Sequence, residues 1–460
     1  MTKRYYTAHI MLAFTNFSPD LKAWMLEMKK AGYNLFWAYM DYYAGDYIKW
    51  TKNFLDTAHE VNVPVMLGSH GDNSGEKDVQ MVLNSWNHPA IFKLNGKKVY
   101  SKYSFFNERF KSTVDGLQKA GIDKSKYLFL VNGLYPVETT WKAKGTYSER
   151  VTGTPWTLSG VKYMYDHYDI DGIINFAIDK KLEANIYENS LIVKGSKERG
   201  KIAMAGISAY YASVSFYDYG FSGAANMWND ILKQPVADRP MIVNDTTAND
   251  YAELSYLSPM LTPVLNGLLY IPSITAGFTL GNNIRYPLTD HSGIQTFLRP
   301  WIDAYKSNAV QPVFHSDKIF AWYYLHPADV KLMPDIPEEL SRYGKNLNQA
   351  WWKNTVYATG NIQIGGTNQV YGIQKLLGAG MGKIRMAAHL IKPAQLNINH
   401  TISEIFPAGA AYFEVEVNDF RGVPSFAIIR NGKVVRSGLG KQAITDSVWP
   451  GGWNCLVTKV

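Results

Sequence analysis

The chain has one cysteine, Cys455, so no internal disulfide can form and the fold does not draw on an oxidising compartment. Charge is sparse too: Asp, Glu, Lys and Arg make up 19% of the residues, and the net charge of +8 is scattered among acids. Without a dense Lys/Arg run or a recognised nucleic-acid motif, a nucleic-acid partner is not expected. The chain also lacks a phosphate-cradling glycine loop, an internal repeat and a Cys/His cluster with metal-ligand spacing. His315-Ser316-Asp317 alone is no metal motif, so neither a metal nor a cofactor is expected. Residues 254–284 carry no charge, yet Pro259, Pro263 and Pro272 with several polar residues break any membrane-spanning helix. A buried or substrate-lining loop is expected there, and no membrane partner. The opening MTKRYYTAHIMLAF is interrupted by His9 and shows no small-residue cleavage site after it, so it is read as a first strand rather than a signal peptide.

What is present points to a folded globular protein of two units. Hydrophobic residues reach 46% over 460 positions, enough to bury a large core and one smaller one. Aromatics reach 14%, with 31 Tyr and 13 Trp; such rings serve core packing and, equally, stack on the C–H faces of sugars. Through the first two thirds, β-branched or aromatic runs alternate with amphipathic stretches, the pattern of βα units around a parallel sheet. YTAHIMLA (6–13), YNLFWAYM (33–40), VPVMLG (63–68), YLFLVNG (127–133), DGIINFAI (171–178), KIAMAGIS (201–208) and PMIVND (240–245) read as strands. A helix over 19–31 is opened by Ser18 and Pro19, and Asp46 precedes the helical YIKWTKNFLDTAHE.

The expected architecture is a (β/α)₈ TIM barrel over residues 1–335, a Pro- and charge-rich linker over 336–351, and a small antiparallel β-sandwich over 352–460. The last unit rests on TVYATG, KIRMAAHLI, AYFEVEV, PSFAIIR and the hairpin signal Asn431-Gly432.

Barrel enzymes place their chemistry at the C-terminal ends of the strands, which singles out the acids that follow strands. They are Asp41 and Asp46 after the second strand, Asp72 after the third, Asp218 in YYASVSFYDYGF, and the segment VNDTTANDYAELSYLSP. In that segment Asp250 and Glu253 are three residues apart, so one turn would point both carboxylates into one pocket, flanked by Tyr251 and Tyr256. Glycoside hydrolysis needs such a pair, one protonated to assist the leaving oxygen and one ionised to activate water or attack. The same spacing is common on solvated helix faces. Asp46 reads equally as a helix N-cap, His9 as a core histidine. Trp37, Tyr39, Tyr210, Tyr211, Phe216, Tyr217 and Tyr219 read as cleft aromatics or as packing.

NDYAELSYLSP (249–259) resembles the signature of glycoside hydrolase family 71, which runs Trp-Asn-Asp-Tyr-Gly-Glu-Ser-x-Tyr; Asn249, Asp250, Tyr251, Glu253 and Tyr256 match in register. DHSGIQTFLRPWIDAYKSNAVQPVFHSDKIFAWYYLHP (290–327) resembles the family's Asp-His stretch, helix and aromatic strand. AHIMLAFTNFSPDLKAWMLEMKKAGYNLFWAYM is similar to its opening, with His9 in place, and WNHPAIFKLNGKKVYSKY, DGIINFA and PAGAAYFEVEVNDFRGVPSFAIIRNGKVVRSG are similar to further segments. The resemblance implies hydrolysis of α-1,3-glucan with inversion. It implies Glu253 as acid, Asp250 as base and a third carboxylate at Asp46, with Asp41 competing for that position. Sugar contacts are expected from His9, Trp37, Tyr39, Asp41, Asp72, Asn249, Tyr251, Tyr256 and His291, on a polysaccharide substrate. Family members are usually exported, which implies action outside the cell or on a virion. Three positions depart from the signature: Ala248 stands for Trp, Ala252 for Gly and Leu254 for Ser, and Asp72 falls one place late for the third-strand motif.

Overall fold

The computed structural model describes residues 3–12, 21–41, 47–70, 75–102, 107–132, 157–176, 182–208, 210–212, 216–218, 220–245, 264–265, 268–271, 284–287, 292–315, 318–325, 356–363, 369–373, 381–398, 402–406, 408–416, 425–430, 433–439 and 453–459.

Eight strands, each followed by a helix, occupy most of this span. They run β1 (Tyr5–Met11), α1 (Leu21–Ala31), β2 (Phe36–Asp41), α2 (Tyr47–Glu60), β3 (Val65–His70) and α3 (Glu76–Ser85). A short β4 (Lys93–Leu94) hairpins onto β5 (Lys97–Lys102), followed by α4 (Asn107–Lys119), β6 (Tyr127–Asn132), α5 (Leu158–His167), β7 (Gly172–Ile174) and α6 (Leu182–Glu198). β8 (Ile202–Ile207) leads to a hairpin of β9 (Tyr210–Ala212) and β10 (Phe216–Asp218), then α7 (Gly220–Lys233) and β11 (Ile242–Asp245). A three-stranded antiparallel sheet of β12 (Val264–Leu265), β13 (Leu268–Ile271) and β14 (Ile284–Pro287) precedes α8 (Ser292–Ser307).

Strands β1, β2, β3, β5, β6, β7, β8 and β11 pair in parallel in that order, and β11 pairs back onto β1, so the sheet is a closed eight-stranded barrel ringed by helices. The expected TIM barrel is therefore present. Seven of its strands follow the runs picked out in the sequence. The fourth, KKVYSK, does not look like a strand because three of its six residues are lysines. Lys102 is nevertheless 2% exposed: its ammonium pairs with Asp78 of α3, which also accepts a bond from Thr113 Oγ1 of α4 at 3.1 Å. A buried cation is tolerable when it is paired and hydrogen-bonded in this way.

The closing seam between β1 and β11 is tied at both ends. Before the strands, the buried Arg4 guanidinium donates to the carbonyls of Arg239 at 2.7 Å and Pro240 at 2.9 Å. At the far end, Tyr6 and Tyr33 both donate to Asp245 Oδ2, Tyr33 at 2.6 Å, with the two rings stacked 4.5 Å apart. Gly32 ends α1 with φ of 114°, a region L side chains avoid, and a Cβ there would stand 2.9 Å from Ile302 Cγ2 of α8. Helix α2 matches its expected span; Ser18, Pro19 and Asp46 lie outside the described residues.

The C-terminal strands are β15 (Lys318–Leu325), β16 (Val356–Gln363), β17 (Gln369–Ile373), β18 (Met381–Leu390), β19 (Ala394–Ile398), β20 (Ile402–Phe406), β21 (Gly409–Glu416), β22 (Ser425–Arg430), β23 (Lys433–Leu439) and β24 (Trp453–Lys459). They form two antiparallel sheets, β16-β15-β18-β21-β22-β23 and β17-β24-β19-β20. The pairing of Arg430 with Lys433 leaves two residues between β22 and β23, as Asn431-Gly432 implied. Buried His389 of β18 stacks at 4.9 Å on Phe297 of α8, beside Trp301 and Phe314, which seats this sheet on the last barrel helix. The 336–351 segment lies outside the described residues.

Replacing Asp78 by Ala leaves Lys102 charged and unpaired in the interior, and denaturant unfolding should show a loss of about 3–5 kcal/mol. The double replacement Asp78→Leu/Lys102→Met should lose much less, since no charge is then stranded.

Candidate active site

A barrel of this kind fills its interior with layers of four side chains drawn from alternate strands. The ladder registers assign them here. Thr7, Met66, Leu130 and Met204 form one layer; Trp37, Ser101, Ile174 and Asn244 the next; His9, Gly68, Asn132 and Gly206 the one nearest the C-terminal ends of the strands. From one strand to the next but one, the layer advances two residues beyond the ladder partners, and four such steps return to His9, the shear of about eight usual for this fold.

The structure brings His9, Trp37 and Tyr39 together. The His9 ring lies 5.3 Å from Trp37, 4.5 Å from Tyr39 and 4.9 Å from Phe176, which follows β7. All four are buried, His9 at 5% exposure, and the Trp37 indole donates to Ser101 Oγ at 2.7 Å, which fixes the ring across the lumen. Tyr39 can lean inward because Gly68 has no side chain: a Cβ there would meet Ser101 Oγ and lie 2.9 Å from Tyr39 Cε1. Burial holds the Tyr39 phenol well above the ordinary tyrosine range, partly offset by hydrogen bonding toward Ser101 and Trp37. His9 is thus held by aromatic edges and faces on the side toward which the strands point.

Asp41 closes β2 in register with His70 at the end of β3, both on the C-terminal rim. The aromatic segment after β8 is a hairpin in which Tyr217 pairs with Tyr211 and Asp218 with Tyr210. Asp46, Asp72, Tyr219, Asn249, Asp250, Tyr251, Glu253, Tyr256 and His291 lie outside the described residues. Asp245, the acid closest to the signature within the described chain, faces outward to Tyr6 and Tyr33 and is part of the seam.

Reading the sequence for acids and aromatics passed over the amides. Asn132 and Asn244 stand at inward positions, 1% and 0% exposed, and Asn244 Nδ2 donates to Ala205 O at 2.9 Å and, past β8, to Asn175 O at 3.0 Å. Asn175 Nδ2 in turn donates to Asn189 Oδ1 of α6 at 2.9 Å, and Asn189 also holds both backbone groups of Gly206. The available signal was an Asn at an inward, otherwise apolar, alternation position in YLFLVN and IVND. Among the described residues no group of three or more His, Cys, Asp or Glu could hold a metal, and no helix is long and apolar enough to cross a membrane.

Tyr33 is raised well above its ordinary value by burial first and by Asp245 second. A phenol kept neutral in the fold contributes stability below the unfolded value near 10 and loses it as pH rises past that value, by about 1.4 kcal/mol per pH unit per phenol. Denaturation followed from pH 8 to 11 should therefore show stability falling only above about pH 10, with a shallower fall in Tyr39→Phe.

Among solved structures, the chain is similar to an endo-alpha-mannosidase from Bacteroides thetaiotaomicron (12% identity, 66% of this chain and 98% of that one, TM-score 0.45). It is also similar to an endo-beta-1,4-mannanase from Thermotoga petrophila (8% identity, 96% and 97%, TM-score 0.41). No curated protein sequence matches the chain significantly. The family model for glycosyl hydrolase family 71 matches residues 3–460, nearly the whole chain. On that match the chain belongs to glycosyl hydrolase family 71, a glycoside hydrolase whose substrate is a polysaccharide.

Proposed function

We propose that this hydrolase cleaves α-1,3-glucan with inversion of the anomeric centre, Glu253 acting as general acid and Asp250 as general base. The observation that carries this reading is where the signature starts: Asp250 follows the end of β11 by five residues, a reach of at most about 18 Å from the C-terminal rim. That strand closes the barrel against β1, which carries His9, so a polysaccharide lying across the rim would meet both. Inversion asks for about 6.5–9.5 Å between the two carboxyl groups, room for the attacking water. A raised pKa on Glu253 keeps it protonated for the leaving oxygen.

Asp46 supplies a third carboxylate in this reading, and Asp41 and Asp72 contact sugar hydroxyls from the rim. Asn249, Tyr251, Tyr256 and His291 line the cleft on the β11 side. His9 contacts substrate, and Trp37 and Tyr39 set its position from below and beside. The enzyme acts outside the cell or on a virion, and the two C-terminal sheets, one of which takes in β15 from before the 336–351 linker, stack as a sandwich.

A second reading draws on Ala248, which stands where the family signature has Trp and so lacks a sugar-stacking face. In it the scaffold binds glycan without cleaving it. The two separate cleanly on incubation with α-1,3-glucan and a panel of other polysaccharides. Asp250→Asn and Glu253→Gln should each lower turnover by about 10²- to 10⁴-fold, and the first-formed product should carry the inverted anomer by NMR. Equal sugar release by wild type and both variants would remove these residues from catalysis; binding without release from any glycan would establish the second reading.

A further inference from the structure

Among the described residues, Ser69 Oγ, Asn132 Nδ2, Trp228 Nε1 and Asn244 Oδ1 are buried without a hydrogen-bond partner. Ser69 lies on the outward face of β3, next to the inward Gly68, and Trp228 lies on α7. The two amides differ from these, because both face the lumen, at its C-terminal end. Asn132 follows Leu130 of the interior cluster by two residues on β6, and Asn244 reaches past β8 to Asn175 O, just after β7. One leaves a donor unused and the other an acceptor.

Their placement adds to this. Asn132 shares its layer with His9, on the first and fifth strands of eight, and therefore stands across the lumen from it. The other two positions of that layer are Gly68 and Gly206, which carry no side chain; the ladder partner of Gly206 is Asn244, one layer lower. The topmost complete layer thus has side chains at two of its four positions, with Tyr39 leaning over Gly68, and polar atoms on both walls, and no carboxylate or ammonium stands in it or in the two layers beneath. A buried donor or acceptor left unpaired costs free energy that an apolar residue of the same shape avoids. Retaining two of them at the end of the barrel where such enzymes bind substrate is the mark of groups whose partner arrives from outside.

We infer that Asn132 and Asn244 form the floor of the sugar pocket, the Asn132 amide donating to and the Asn244 carbonyl accepting from hydroxyl groups of the deepest bound sugar residue. The uncharged floor selects a neutral sugar over a uronate or a phosphorylated one. This rests on the hydrolase reading above, and it adds two binding residues.

The test sets Asn132→Leu, which keeps volume and removes the amide, beside Asn132→Asp, which keeps shape and removes the donor, in the full chain. Thermal unfolding is followed together with calorimetric binding of soluble α-1,3-, α-1,4-, β-1,3- and β-1,4-linked glucan oligosaccharides. Asn132→Leu should melt at or above the wild-type temperature yet bind the preferred oligosaccharide about ten- to hundredfold more weakly, with Asn132→Asp weakened similarly. A markedly lower melting temperature in Asn132→Leu would mean that the amide serves the free fold, for instance through a captive water, and would overturn the inference. Undiminished binding by Asn132→Leu would overturn it equally. If wild type and Asp250→Asn cleave alike while Asn132→Leu still loses binding, the catalytic assignment fails and the floor stands. If wild type binds none of the oligosaccharides, both fail.

Discussion

The ladder between Tyr5–Ala8 and Ile242–Asp245 is the constraint on which the rest of the molecule depends. It joins the first barrel strand to the last across more than two hundred residues of chain, and without it the parallel sheet would keep two open edges. Two different devices secure it. At the start of the strands, Arg4 donates to the carbonyls that lead into β11, and buried Arg239, its charge opposed by burial and by Arg4, donates to Ala309, Leu232 and Gln234. At the end, Asp245 accepts from two stacked tyrosines on β1 and the turn after α1. A carboxylate at the tip of a barrel strand would ordinarily be the first candidate for chemistry; this one is spent on closure.

Closure sets the register, and register decides what fills the lumen. Lower layers are apolar, with Leu130, Met66, Met204 and Ile242 in one cluster. Toward the C-terminal end the filling changes to His9, Trp37, Tyr39 and Phe176 in edge and tilted contacts, with amides on the walls and glycine at two of four positions. Unpaired polar groups cost free energy wherever they occur in a core. Their concentration in the last layer fits a protein that keeps its stability in the lower barrel and holds a neutral ligand at the upper one. The same division appears outside the ladder, where Lys102, Asp78 and Thr113 pair under α3 and α4, and where Asn189 ties α6 to Gly206.

Family membership and barrel architecture were legible from the chain alone, for physical reasons that differ. The strands YTAHIMLA, YNLFWAYM and KIAMAGIS announce themselves because a parallel strand buried on both faces must be apolar nearly throughout. KKVYSK escaped because its lysines satisfy the ladder as well as any residue would, and what makes Lys102 acceptable is a carboxylate on a helix that sequence order places well upstream. The segment NDYAELSY was readable through its resemblance to the family signature, since the Asp-x-x-Glu spacing by itself is equally common on solvated helix faces. Asn132 and Asn244 were not readable in the same way: an amide at a strand end is as often a turn former as a ligand group, and nothing local distinguishes the two.

Alternation thus determined the kind of fold and the family resemblance the class of enzyme, since each is a property of short stretches. Only the closed barrel decided that His9 faces Asn132, that Asp245 turns outward and that two glycines share the uppermost layer, because each of these follows from a pairing register between strands distant in the chain. A shift of one residue in any of those registers would reverse inside and outside along the strand. That information exists in the strand pairing and in no single segment.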